Sequence, residues 1–367
     1  MSVITVQNTY EQLITEGYVT AVEKRGYFVE RIDTSAAAER KDSIKKEQRH
    51  EEKALDMVAD FASGKIMYDN FPYTIWARLM RKTLMDREGS FLESPPFEGM
   101  QALRKNIAGH LGQFRGLAVN EDNIIVGAGM EYLYGMIIRL IGRSGMIAVE
   151  DPGHLKVRGV YESDGIKVLH IPVDDMGMSV EKLRESSAKA VHLSPSHQFP
   201  TGTVMPASRR HSIIRWAIEN DSYIIEDDYD SEFRFFGKPV STMKELEPDR
   251  VIYLNPFSRT LSPSVRVAYM VLPDKLMESC RKKLSFFSGT VSAMEQLALA
   301  EFIEGGFYGR HLNRMKNSYK KRKSEIKKTL TSSPLSLISK MEGEDAGLHF
   351  ILRIDADIDD DEYSKKL

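Results

Sequence analysis

The chain has 367 residues, 42% of them hydrophobic and 28% charged, with a net charge of −2 at neutral pH. That balance excludes a protein that holds nucleic acid through its overall charge, so any such contact must come from a local patch. The single cysteine, Cys280, excludes an internal disulfide framework and a cysteine-based zinc site. No apolar run approaches the ~18 residues of a membrane span and no signal-peptide pattern opens the chain, so a cytoplasmic protein without a membrane partner is expected.

Three regions are predicted. Residues 1–30 form a helix with Val3, Val6, Tyr10 and Leu13 on one face, stopped at Gly17, followed by strands at 18–23 and 27–29 around a Lys24-Arg25-Gly26 turn. This unit reads as the second half of a winged helix, in which Gln7 and Asn8 meet base edges and Lys24 and Arg25 meet phosphates. Its rival is an amphipathic helix and hairpin packed on a neighbour, and either way so small a unit cannot bury enough apolar area to be stable alone. Residues 31–54 are rich in Lys, Glu and Arg and are expected to form a charged linker.

From residue 55 onward, strands and helices alternate in the manner of a doubly wound α/β fold with a mainly parallel sheet. Strands are expected at 124–126, 146–149, 167–171, 190–193, 223–225, 251–254 and 267–272, with helices at 128–142 and 207–219 among them. A further helical region, 285–330, is expected to pack a small domain and to expose a basic, solvated face.

The candidate chemistry lies where such a fold exposes strand ends. Glu226-Asp227-Asp228-Tyr229-Asp230 closes a buried strand, and a carboxylate there can hold a pyridine nitrogen in its protonated form, with the tyrosine two residues on facing the same way. A divalent-metal site and a solvated loop are the competing readings of that acidic run. Gly127-Ala128-Gly129-Met130 leads from a strand into a helix whose N-terminus favours an anion, although neither a dinucleotide fingerprint nor a Walker lysine is present. His154 follows an Asp-Pro-Gly loop and could stack on a flat ring, and Arg266 could grip a phosphate in bidentate fashion.

Residues 255–266 read NPFSRTLSPSVR, and Arg259 stands where this pattern leads one to expect lysine. A desolvated lysine can attack a carbonyl and hold an aldehyde covalently. An arginine stays charged to pH ~12 or beyond and is a poor nucleophile of that kind.

Taken in order, TVQNTYEQLITEGYV, EKRGYFV, VGAGMEYLYG, EDPG, SPSHQFPTG, EDDYDSEFRF, FSRTLSPSVRVAYMVLP and AGLHF resemble the MocR/GabR-type members of the GntR transcriptional regulators. In these a winged helix is fused to a fold-type I aminotransferase-like domain that binds pyridoxal 5′-phosphate. The resemblance implies a large domain core over about 97–275 and an α+β small domain from 55–96 and 276–367. It implies a cofactor site of Gly129, Met130, His154, Asp227, Tyr229, Ser258 and Arg266, and no metal. Asp227 would partner the ring nitrogen, Tyr229 the ring hydroxyl, and Arg266 the phosphate, with His154 stacked where relatives usually carry tyrosine.

It also implies a ligand-sensing regulator of DNA, with an amino acid or the cofactor itself as effector, acting as a homodimer. Against the family the chain is short at both ends, so DNA binding by it alone is not a firm expectation. Arg259 replaces the cofactor-bonding lysine, Pro256 a phosphate-contacting threonine, and Ser94 a tyrosine that reaches across the dimer, so catalysis is not expected and any cofactor would be held noncovalently. The alternatives are an active aminotransferase of class I/II acting on amino acids, and a nonfunctional truncated copy.

Overall fold

The structure is a computed structural model describing residues 2–31, 70–85, 92–235, 240–343 and 347–355, and it divides into two units, 1–63 and 64–367. All but the first residue of the expected 31–54 linker lies outside the described residues. In the first unit, α1 (Val3–Thr15) starts at Ser2, whose side chain accepts the Thr5 amide. Strands β1 (Val19–Val22) and β2 (Gly26–Val29) then pair as an antiparallel hairpin. The Tyr10 and Tyr27 rings lie 4.6 Å apart, yet Val19 is the only buried residue described in this unit. Val3, Ile4, Tyr27, Phe28 and Val29 are exposed, so helix and hairpin make almost no core of their own.

The second unit begins with α2 (Tyr73–Met85) and α3 (Gln101–Arg115), then runs β3 (Ile124–Gly127), α4 (Met130–Ile141), β4 (Met146–Asp151), α5 (Leu155–Ser163), β5 (Lys167–Asp174) and β6 (Gly177–Met178). It continues with α6 (Val180–Glu185), β7 (Ala190–Leu193), α7 (Ala207–Glu219), β8 (Tyr223–Asp227), α8 (Met243–Leu246), β9 (Val251–Pro256) and β10 (Ala268–Val271). Helices α9 (Asp274–Leu284), α10 (Ala293–Glu304) and α11 (Phe307–Ser332) precede the antiparallel pair β11 (Ser339–Glu342) and β12 (Ile351–Ile354).

Eight strands form one sheet in the order β3-β10-β9-β8-β7-β4-β5-β6. From β9 to β5 they are parallel, and β10 runs antiparallel to both β3 and β9. Both faces of this sheet are covered, which is why its strands read as continuous apolar runs rather than alternating ones. Ile125, Ile252, Leu254 and Met270 enter one core with Leu133, Ile137 and Tyr161, while Val126, Tyr253 and Tyr269 enter the opposite core with Leu103, Ile107 and Phe302. The period of two along each strand sends neighbours to opposite faces.

Leu276, Met277 and Cys280 of α9 belong to the first core, and Leu299 and Phe302 of α10 to the second, so the body built on the sheet continues well past residue 275. The 285–330 region is two helices rather than one, broken at Gly305-Gly306, with Gly306 in the left-handed region at φ 66°. Its apolar half, VSAMEQLALAEF, is packed against α2 and α3, because its small and branched side chains fill the second core.

Candidate functional site

Strand register brings distant segments to one edge of the sheet. Ala268 is paired with both Gly127 and Pro256, so the residues after β3, after β9 and just before β10 lie together. The ends of β4, β7 and β8 reach the same edge because these strands run parallel to β9. A cavity of about 180 Å³ opens there, lined by Gly129, Met130, His154, Asp227, Tyr229, Ser258, Arg259 and Arg266. All eight residues singled out at this site in the sequence therefore share one cavity.

Asp227 sits at the floor, and its Oδ2 accepts the Tyr134 hydroxyl at 2.7 Å and lies 3.3 Å from His192 Nε2. The Tyr161 hydroxyl is 2.7 Å from the other nitrogen of His192, so the imidazole is held from both sides. Burial keeps the Tyr134 and Tyr161 hydroxyls protonated far above the usual phenol range. Asp227 Oδ1 is buried and has no hydrogen-bond partner. A buried carboxylate oxygen left unmatched in a cavity wall is an acceptor in need of a donor.

At the opposite side the backbone of Gly129 starts α4 at φ 91°, a region that other residues rarely enter. A Cβ at this position would stand 2.7 Å from Arg266 Nη2, so only glycine lets the guanidinium lie against the helix N-terminus. Arg266 Nη2 contacts Glu131 Oε2 at 2.6 Å, and Lys156 pairs with the other oxygen of Glu131. Burial by itself would raise the Glu131 carboxyl, but hydrogen bonds from Lys156 and Arg266 hold it at about 2. Two cations and a helix N-terminus thus converge on one anion, here supplied by the chain itself. The free Asp227 oxygen and the Gly129–Arg266 cradle fit a phosphorylated pyridine, whose ring nitrogen carries a proton and whose phosphate is an anion.

The remaining predicted residues take less uniform places. His154 is exposed, accepts the Lys156 amide at 3.3 Å to cap α5, and lies 5.1 Å from the Phe199 ring. The Tyr229 hydroxyl is 3.3 Å from His197 Nδ1. Ser258 and Arg259 are half-buried, and the Arg259 guanidinium lies 6.0 Å from the centre of the Tyr229 ring.

The acidic run does not converge on one ion. Asp228 pairs with Arg115 at 3.1 Å and accepts the Tyr253 and Ser231 hydroxyls, while Asp230 lies 2.9 Å from His197 Nδ1. One oxygen or nitrogen from each of His197, Asp230 and His349 does fall within 4.8 Å of the others, in a cluster already joined by the His197–Asp230 hydrogen bond. Of the residues expected to meet DNA, Gln7 and Asn8 are exposed on α1 and Lys24 and Arg25 in the hairpin turn.

Several site residues escaped the sequence reading. Tyr134 is one helical turn beyond Met130, a spacing that could have suggested it, but nothing local marks His192, Lys156 or the buried Glu150. Glu150 takes the Ser194 amide on Oε2 and is pushed up to about 8 by burial.

Residues 56–367 match the family model for aminotransferase class I and II. The chain is 36% identical over 356 residues to the uncharacterized HTH-type transcriptional regulator YdeL of Bacillus subtilis, covering 96% of this chain and 76% of that protein. It is 28% identical over 371 residues to the probable rhizopine catabolism regulatory protein MocR of Rhizobium meliloti, covering 97% and 75%. The chain belongs to the class I and II aminotransferase family, among its MocR-type regulators.

Among solved structures, Pyrococcus horikoshii kynurenine aminotransferase, determined in complex with PMP, is similar at a TM-score of 0.71 and 26% identity, covering 86% of this chain and 83% of that one. Family membership gives the departures their meaning. Arg259 and Pro256 stand in this MocR-type chain where the resemblance implies a lysine and a threonine, and both line its cavity. Among the described residues, no helix is long and apolar enough to cross a membrane.

Proposed function

We propose that the chain is a ligand-sensing transcriptional regulator whose aminotransferase-like body holds pyridoxal 5′-phosphate without bonding to it. One observation carries this reading: Asp227 keeps a buried, unpartnered oxygen in the cavity wall where Arg259, a side chain unable to form the covalent link, takes the lysine's place. Asp227 Oδ1 would accept the proton on the ring nitrogen and Tyr229 would reach the ring hydroxyl. Arg266, the Gly129–Met130 helix start and Ser258 would hold the phosphate, which takes over from Glu131 as the anion there. His154 would lie against the ring. When bound, the group supplies an electron-poor pyridinium, but no amine stands ready to engage its aldehyde.

The signal is therefore occupancy. A ligand that binds one arrangement of the regulator better than another shifts the population toward it, and DNA affinity follows. Gln7 and Asn8 would read base edges, with Lys24 and Arg25 on the phosphates, in a cytoplasmic homodimer that responds to an amino acid or to the cofactor. The test has two arms. Purified chain should bind pyridoxal 5′-phosphate, seen as quenched tyrosine and tryptophan fluorescence and an upward shift of the melt, with no adduct retained after borohydride. A mobility shift on the DNA upstream of its own gene should respond to the same ligand.

An active aminotransferase is the second reading, favoured by the likeness to kynurenine aminotransferase. Among the described residues, Lys156 is the only lysine lining the cavity, and it is tied to Glu131. A borohydride-trapped adduct on Lys156 would establish that reading and overturn the first. Absence of any melt shift with pyridoxal 5′-phosphate would leave a nonfunctional copy as the better description.

A further inference from the structure

The cavity carries one cation that its own walls leave unmatched. Among the lining cations, Arg266 and Lys156 share the Glu131 carboxylate, and Arg158 pairs with Glu162 at 2.9 Å. Arg259 makes no hydrogen bond or ion pair with any described residue, and its guanidinium lies over the Tyr229 ring face at 6.0 Å. Among the described residues, none of the lining carboxyls pairs with it. Asp227 directs Oδ2 to Tyr134 and His192, Asp151 lies 3.9 Å from His170, and Glu150 takes the Ser194 amide and is pushed up to about 8 by burial.

A half-buried guanidinium keeps five N–H donors in a planar fork whose natural complement is a carboxylate, bound through two parallel hydrogen bonds. An aromatic face satisfies none of those donors. An ammonium group brought to the same place meets like charge.

We infer that Arg259 makes this a site for a phosphorylated pyridine bearing a carboxylate on the arm where pyridoxal 5′-phosphate has its aldehyde. The inference rests on the reading proposed above, with the phosphate at Arg266 and the ring nitrogen at Asp227, and it adds the third point of recognition. Two chemical sources supply such a carboxylate. The aldehyde carbon can itself be at the acid oxidation level, or an amino acid can be joined to that carbon through a C–N single bond and present its α-carboxylate.

The test is the affinity of the purified full chain for four probes: pyridoxal 5′-phosphate, pyridoxamine 5′-phosphate, 4-pyridoxic acid 5′-phosphate and N-(5′-phosphopyridoxyl)-L-leucine. At least one carboxylate probe should bind about tenfold or more tighter than pyridoxamine 5′-phosphate, as expected for one charge-assisted bidentate contact. Which carboxylate probe wins identifies the source. Arg259→Gln should erase the preference, with its melt confirming the fold. Arg259→Lys, which retains the charge, should keep part of it.

Equal affinities across the four probes, tighter binding of the amine, or a preference that persists in Arg259→Gln overturns the inference and leaves the reading beneath it intact. Failure of all four probes to bind overturns both.

Discussion

Neighbouring strands β8 and β9 deliver to the same cavity and have fared differently. At the β8 end Asp227 is braced by Tyr134 and His192 and has one buried oxygen without a partner. The β9 end has Pro256, which offers no N–H, and Arg259, which offers no nucleophile. The two ends separate holding a cofactor from bonding to it. Hydrogen bonds and charge are enough for the first, whereas the second needs an amine that can lose its proton.

The contrast is broken most completely by Arg259→Lys. Restoring an amine beside an intact β8 end should turn noncovalent binding into a borohydride-trappable adduct, read by mass spectrometry. If no adduct forms, the β9 end is displaced in some way beyond the missing lysine.

Asp227→Asn removes the charge at the other end. It should weaken pyridoxal 5′-phosphate binding about 10- to 100-fold, the range of a hydrogen bond to a charged group at about 1.5–3 kcal/mol. An unchanged affinity in a fluorescence titration would deny Asp227 its role.

Glu131→Gln sharpens the comparison at the phosphate end. It frees Arg266 and Lys156 from their internal anion, so affinity for phosphate-bearing ligands should rise by up to about tenfold, while pyridoxal, which lacks the phosphate, should be indifferent. Equal gains for both would mean that Glu131 acts on the ring instead.

The smallest effect concerns pH. Glu150, Glu226 and Glu232 are pushed up by burial to about 8, 7 and 7. Each has a folded-state pKa above its unfolded value of about 4.3, so the folded chain binds more protons between those values and stability falls as pH rises through that window, levelling off above about 8. Glu150→Gln mimics the protonated group and keeps an acceptor for the Ser194 amide. Its melt should match the parent near pH 4 and exceed it by a few degrees near pH 9.

The doubly wound class, seven of the eight sheet strands and eight of the residues that line the cavity were legible because strand periodicity and strand-end motifs are local in sequence. The packing of α9 and α10 onto the sheet was not, since they look like any amphipathic or small-residue helices. Only their partners, Ile138 and Met270 for one and Leu103 and Tyr253 for the other, reveal which body they complete. The charge matching in the cavity was equally hidden. Glu131 sits 25 residues from Lys156 and 135 from Arg266, and the three meet because α5 packs on α4 and the register places Ala268 against Gly127.

By itself the sequence determined which side chains stand at the strand ends, Arg259 among them, because the chemistry of a residue travels with its identity. Tertiary structure alone decided which of those charges have partners. Pairing is a matter of distance between segments far apart in the chain, and it is the packing of β3, β8, β9 and β10 that neutralises Arg266 and leaves Arg259 without an anion.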